Sequence, residues 1–142
     1  MTPCACFCRE ALSPFLPPGL IRSPAQPSLR LWQLCALAPE AADRLAGTPL
    51  RCRTLLVPDR AYCPLWQAAQ VVSYGLSPRC TLTLSSMGPG AMLCVQRSFA
   101  DRLGRTVEEQ ELPLPGPWAS LPDRERLLLA GVWLLCGGLE GI

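Results

Sequence analysis

Apolar residues along this chain follow one spacing up to Gly75 and another beyond it. Leu29-Arg30-Leu31-Trp32-Gln33-Leu34-Cys35-Ala36-Leu37 is almost continuously apolar, the pattern of a buried strand, with a helix as the alternative. A short helix is predicted over residues 39–46, opened by Pro39 and Glu40 and closed by Gly47. Residues 52–57 form a second strand stopped by Pro58. Residues 61–69 form a second short helix with Pro64 in its first turn. Residues 70–74 form a third strand stopped by Gly75. Strands spaced by short helices predict βαβ units and a parallel sheet.

After Gly75 the period becomes two. Cys80, Leu82 and Leu84 alternate with Thr81, Thr83 and Ser85, which predicts a strand buried on one face. Gly88-Pro89-Gly90 predicts a turn, residues 91–98 the return strand, and Asp101-Arg102-Leu103-Gly104 a second turn. A third strand is expected over 105–112, presenting either Glu109 and Glu111 or Thr106, Glu108 and Gln110 to solvent. Together these make an antiparallel meander. Ser120-Leu121-Pro122-Asp123 resembles a helix start, and that helix runs to about Cys136, where Gly137-Gly138 ends it. From 127 to 135 it is apolar all round. A run of nine residues falls far short of the roughly 20 that cross a bilayer, so the pattern predicts a core helix. Its other use would be a protein-partner or homodimer interface anchored by Trp133.

Residues 1–28 hold six of the 16 prolines and keep no period, so they read as a poorly ordered arm ahead of a single α/β domain over 29–142. The expected fold class is therefore α/β. It is a small three-layer-like domain with parallel βαβ units, then an antiparallel β-meander, then a buried C-terminal helix.

Composition narrows the chemistry. Hydrophobic residues make up 49% and charged residues 17%, a globular balance. A net charge of +2 offers no electrostatic footprint for nucleic acid or an anionic membrane. Every basic residue is arginine, and Lys, His and Asn are all missing. Imidazole acid–base chemistry, Schiff bases and the P-loop lysine are thereby excluded, and arginine cannot serve as a base. No motif calls for a cofactor, and enzymatic activity is not expected. Nine cysteines, an odd number, without an apolar leader, predict reduced thiols in the cytoplasm. Cys4, Cys6 and Cys8 alternate and could take zinc or copper(I), although no C-x-x-C spacing supports them.

Asp59 ends a predicted parallel strand, where α/β crevices form, and suits a helix cap or turn better than a ligand contact. Tyr74 and Gly75 end the next strand, Tyr74 suited to packing and Gly75 to a positive φ. Arg79 suits a carboxylate or phosphate, or plain solvent. These four are the candidate ligand-binding residues, and no catalytic set is visible.

Val71-Val72-Ser73-Tyr74-Gly75-Leu76-Ser77 resembles the strand and YG turn of the Mur ligases, the ATP-dependent amide ligases of bacterial peptidoglycan synthesis. Three further pieces resemble the family in the same order. Leu55-Leu56-Val57-Pro58-Asp59 is similar to a strand ending in its Asp-rich segment, Thr81–Ser86 to its following strand, and Leu112-Pro113-Leu114-Pro115-Gly116 to its loop before a helix. The resemblance spans about residues 52–138. It implies a truncated, degenerate central domain without ATP chemistry: the P-loop lysine is missing, and Pro117-Trp118-Ala119 stands where the family continues with His-Asn. The expected function is a non-catalytic interaction or scaffold domain. The alternative is a small ligand-binding protein or enzyme using carboxylate or cysteine chemistry at the strand C-terminal ends.

Overall fold

A computed structural model describes residues 3–86 and 90–140. The strands are β1 (Cys4–Phe7), β2 (Leu20–Arg22), β3 (Leu31–Leu37), β4 (Leu50–Pro58), β5 (Trp66–Tyr74), β6 (Leu82–Leu84), β7 (Met92–Val95), β8 (Phe99–Ala100), β9 (Thr106–Val107) and β10 (Gln110–Pro113). The α-helices are α1 (Pro39–Arg44) and α2 (Asp123–Leu135). Among the described residues, eight strands form one sheet in the order β10-β7-β6-β5-β4-β3-β1-β2, and β8 pairs with β9 as a separate ribbon. β1 to β6 are mutually parallel; β7 runs antiparallel to β6 and to β10. The fold is thus mixed α/β, with a mostly parallel sheet, an antiparallel part and a C-terminal helix in the core.

The N-terminal segment departs from expectation. Cys4–Phe7 is an interior strand, hydrogen-bonded to β3 on one side and β2 on the other, and all four residues are buried. Only four residues are needed because both neighbours supply ladder bonds, so the prolines on either side do not interfere. Residues 61–69 also depart. Trp66–Tyr74 is one nine-residue strand, paired with β4 from Leu50↔Trp66 to Pro58↔Tyr74. The alanines that favour a helix locally are overridden by a full ladder to β4. The third meander strand splits in two: Thr106–Val107 joins the small ribbon and Gln110–Pro113 joins the main sheet. Gly88 and Pro89 of the expected turn lie outside the described residues.

α2 covers the middle of the sheet. Gly131 lies so close to it that a β-carbon there would sit 2.8 and 3.0 Å from the Leu56 methyls and 3.0 Å from a Leu82 methyl. Leu56, Leu82 and Leu127 to Ala130 are all fully buried. The N-terminal segment then closes over the helix. Arg9 makes a two-pronged ion pair with Glu125, at 2.6 and 2.7 Å, and the Trp133 indole N–H donates to the Phe15 carbonyl at 2.8 Å. Trp133 is therefore half-buried against its own chain. The small ribbon is held by Gln70, whose amide accepts from Ala100 N (2.9 Å) and donates to Ala100 O (2.9 Å) and Thr54 Oγ1 (3.1 Å).

Candidate functional site

Chain direction reverses between β1 and β3: β1 leads outward to β2, while β3 leads the other way to β4 and β5. Ligands of parallel α/β sheets favour the carboxyl ends of strands at such a switch. Here the switch itself is shut. Ala38 N–H donates to Phe7 O at 2.9 Å, the Tyr74 hydroxyl donates to Leu37 O at 2.7 Å, and Phe7, Leu37 and Ala38 are buried. The opening lies beside it, at the carboxyl ends of β4 and β5. It is a cleft of about 540 Å³ between Pro39, Ala42 and Asp43 of α1, the Pro58–Ala61 turn, the segment from Tyr74 to Ser77, and Arg124 at the start of α2.

The floor of the cleft is rigid. Asp59 N–H donates to Tyr74 O (2.8 Å) and Gly75 N–H to Leu82 O (3.1 Å), which ties the ends of β4, β5 and β6 together. Gly75 has φ +157°, and a β-carbon there would lie 3.0 Å from Asp59 Cβ and 3.2 Å from Cys80 Sγ. Glycine is required for both its conformation and its lack of a side chain. Asp59 then meets Arg79, Oδ1 to Nε at 3.5 Å. Ser77 Oγ accepts from both the N–H and the Nε of Arg79 at 3.3 Å, and Arg97 Nη1 donates to Arg79 O at 2.6 Å. Burial pushes the Tyr74 hydroxyl and the Cys80 thiol above their ordinary values, so both stay protonated near neutrality.

All four candidates from the sequence therefore converge. Asp59, Tyr74 and Gly75 line the cleft, and Arg79 reaches it through Asp59. Their roles differ: Tyr74 spends its hydroxyl on Leu37, Gly75 makes room, and Asp59 and Arg79 neutralise one another. Two rim residues escaped sequence reasoning. Arg60 adopts a left-handed backbone, φ +67°, in a turn closed by Ala61 N–H to Pro58 O at 3.1 Å. A non-glycine residue at positive φ is uncommon and is one mark of a constrained site. Arg124 reads in sequence as an ordinary charged flank of the helix. The available signal for Arg60 was its place directly after Asp59 at a strand end. Neither Arg60 nor Arg124 forms an ion pair among the described residues.

The three N-terminal thiols are buried: Cys136 holds the Cys4 thiol below its ordinary value, and Cys8 holds the Cys6 thiol above its own. Among the described residues, no three metal-binding side chains come together. No helix among them is long and apolar enough to cross a membrane. Neither a family model, nor a curated protein, nor a solved structure matches this chain.

Proposed function

We propose that this chain is a non-catalytic binding domain that takes a small anionic molecule, a phosphate or carboxylate compound, in the cleft at the carboxyl ends of β4 and β5. The observation that carries the reading is the pair Arg60 and Arg124, two arginines lining one cleft with no carboxylate partner of their own among the described residues. Guanidinium groups match phosphate and carboxylate oxygens in pairs, and each such charge-assisted bond contributes about 1.5–3 kcal/mol. The rigid floor keeps the cleft formed before a ligand arrives, which lowers the ordering cost of binding. Acid–base catalysis finds no support here: the cleft has no imidazole or amine, and its Asp59 is engaged by Arg79.

Descent from a Mur-ligase-like central domain is part of this proposal. It is supported by the order of elements from β4 to α2: β4 ending just before Asp59, β5 ending just before Gly75, the short β6, its antiparallel partner β7, and, after the small ribbon, β10 and a Leu114–Gly116 segment that leads toward a buried helix. Such a descendant keeps the scaffold and lacks the phosphate loop.

Calorimetric titration with inorganic phosphate, a nucleoside monophosphate and a short dicarboxylate tests the reading. At least one should bind saturably, with affinity that falls as salt rises. The Arg60→Gln/Arg124→Gln double variant should weaken it at least tenfold, about 1.4 kcal/mol, without altering the melting temperature. Absence of binding by all three at 10 mM, or binding that survives the double variant, overturns the site. Micromolar affinity for magnesium–ATP overturns the non-catalytic reading.

A further inference from the structure

β5 lies inside the sheet with parallel neighbours on both sides, yet one of its faces is bare. Gln67, Ala69 and Val71 alternate along it and are all exposed, Val71 to 58%. The registers Arg51↔Gln67 and Leu31↔Arg51 carry this face across β4, where Arg51 and Arg53 are exposed, to Leu31 of β3, which is 57% exposed. On the other side of β5, Thr83, Cys94 and Glu111 pair in one row across β6, β7 and β10 and continue it. Thr83 and Cys94 are half-buried and Glu111 is exposed, while Leu82, Leu93 and Val95, which alternate with them, are buried. Leu56 and Leu82, the residues closest to Gly131, belong to the opposite face, so the bare one is turned away from α2. Parallel strands are normally covered on both faces, so a mid-sheet valine this exposed marks a surface that lacks its cover.

Charge is sorted across this surface. β1 to β9 contain no Asp or Glu, and Glu111 is the single carboxylate on any described strand, with Glu109 exposed just before it. Arg51 and Arg53 occupy the far end, on β4. None of these four charged residues forms an ion pair among the described residues. Four strand spacings, about 19 Å, separate β4 from β10. That exceeds the screening length of about 8 Å at physiological salt, so the two ends do not neutralise one another within one chain.

We propose that this bare face is the interface of a symmetric homodimer, in which Arg51 and Arg53 of each copy meet Glu109 and Glu111 of the other. A two-fold axis lying in the interface and passing near β6 exchanges the β4 end with the β10 end, so every contact is made twice and the assembly closes at two chains. Ala69 and Val71, on the strand next to β6, fall in the middle and lose their contact with water. The two sheets stack about 10 Å apart, as in a sandwich. A second copy fits this surface better than a uniformly anionic partner. A nucleic acid or an acidic peptide would satisfy the arginines but be repelled at the β10 end, whereas a second copy offers the matching charge at both ends.

Sedimentation equilibrium of the intact chain under reducing conditions tests this. At about 100 µM the protein should have twice the monomer mass, and raising salt from about 0.05 to 1 M should weaken the dimer at least tenfold. Arg51→Glu/Arg53→Glu, which makes both ends acidic, and Glu109→Arg/Glu111→Arg, which makes both ends basic, should each be monomeric on their own. Mixed in equal amounts, the two variants should recover a one-to-one heterodimer, because every end then faces its opposite. Val71→Glu should also be monomeric, with an unchanged circular dichroism spectrum. A wild-type monomer at about 100 µM, a dimer that survives both charge variants, or charge variants that stay monomeric when mixed overturns the proposal. A wild-type monomer that binds polyglutamate instead assigns the face to an acidic partner and overturns it equally. The wild-type mass and its salt dependence decide the matter even if a variant fails to fold.

Discussion

Replacing Gly131 with alanine sets two opposing effects against each other, and the packing of α2 decides the sign. Alanine in place of a helical glycine gains about 1 kcal/mol through the unfolded chain. The new methyl, however, would meet two Leu56 methyls at 2.8 and 3.0 Å and a Leu82 methyl at 3.0 Å. Methyls at the end of a leucine can often swing away, but Leu56 and Leu82 are both 0% exposed and have no solvent to move into. Overpacking of a closed core costs about 1–3 kcal/mol. Gly131→Ala should therefore destabilise the fold by about 1 kcal/mol. In urea unfolding this lowers the midpoint by roughly 0.5 M with the slope unchanged. Leu56→Ala alone should cost about 2–5 kcal/mol. Combined with Gly131→Ala it should cost at least ~1 kcal/mol less than the sum, because the added methyl enters the vacated space. A Gly131→Ala protein with an equal or higher midpoint, or strictly additive losses, would refute this account of how closely α2 lies on the sheet.

Gly75→Ala should destabilise by about 2 kcal/mol or more and weaken whatever the cleft binds, since it strains φ and pushes on Asp59 and Cys80; thermal unfolding and titration together check it. Gln70→Ala leaves both backbone groups of Ala100 without their partner, so a loss of about 1–3 kcal/mol is expected, with faster amide exchange confined to residues 99–107. In thiolate absorbance at 240 nm, a step centred near pH 7 should vanish in Cys4→Ser. Because the folded value of Cys4 lies below its unfolded 9.0, its contribution to stability is complete above pH 9 and fades as pH falls through 7. Cys136, shifted upward, loses its contribution as pH rises beyond 9. The pair thus favours the folded state most near pH 9, and chemical denaturation at pH values on both sides of that point tests the shape.

The legible parts of this fold were those where local chemistry and tertiary demand agree. Pro39, Glu40 and Gly47 bracket α1, alternation from Cys80 to Leu84 marks β6, and the apolar run in α2 marks the core helix. The illegible parts were set by neighbours. Cys-Ala-Cys-Phe carries too few residues to show a period, and its strand state comes from β2 and β3 on either side. Ala68 and Ala69 lean toward helix on their own, and only the ladder to β4 makes them extended. At the cleft, Asp59 and Gly75 were visible as strand-end punctuation. Arg60 and Arg124 were not, because an arginine's role depends on what lies opposite it, and α2 approaches from more than 40 residues downstream of β5.

The interior place of β1 also governs how the molecule can be handled. β1 runs parallel to β4 and β5, so Pro3 enters the sheet at the edge opposite the cleft. An affinity tag or surface tether joined ahead of Pro3 would leave Arg60 and Arg124 facing open solvent. Trimming the chain past Phe7 is a different matter. It would bare the ladder edges of both β2 and β3, turning one closed seam into two sticky ones and inviting aggregation.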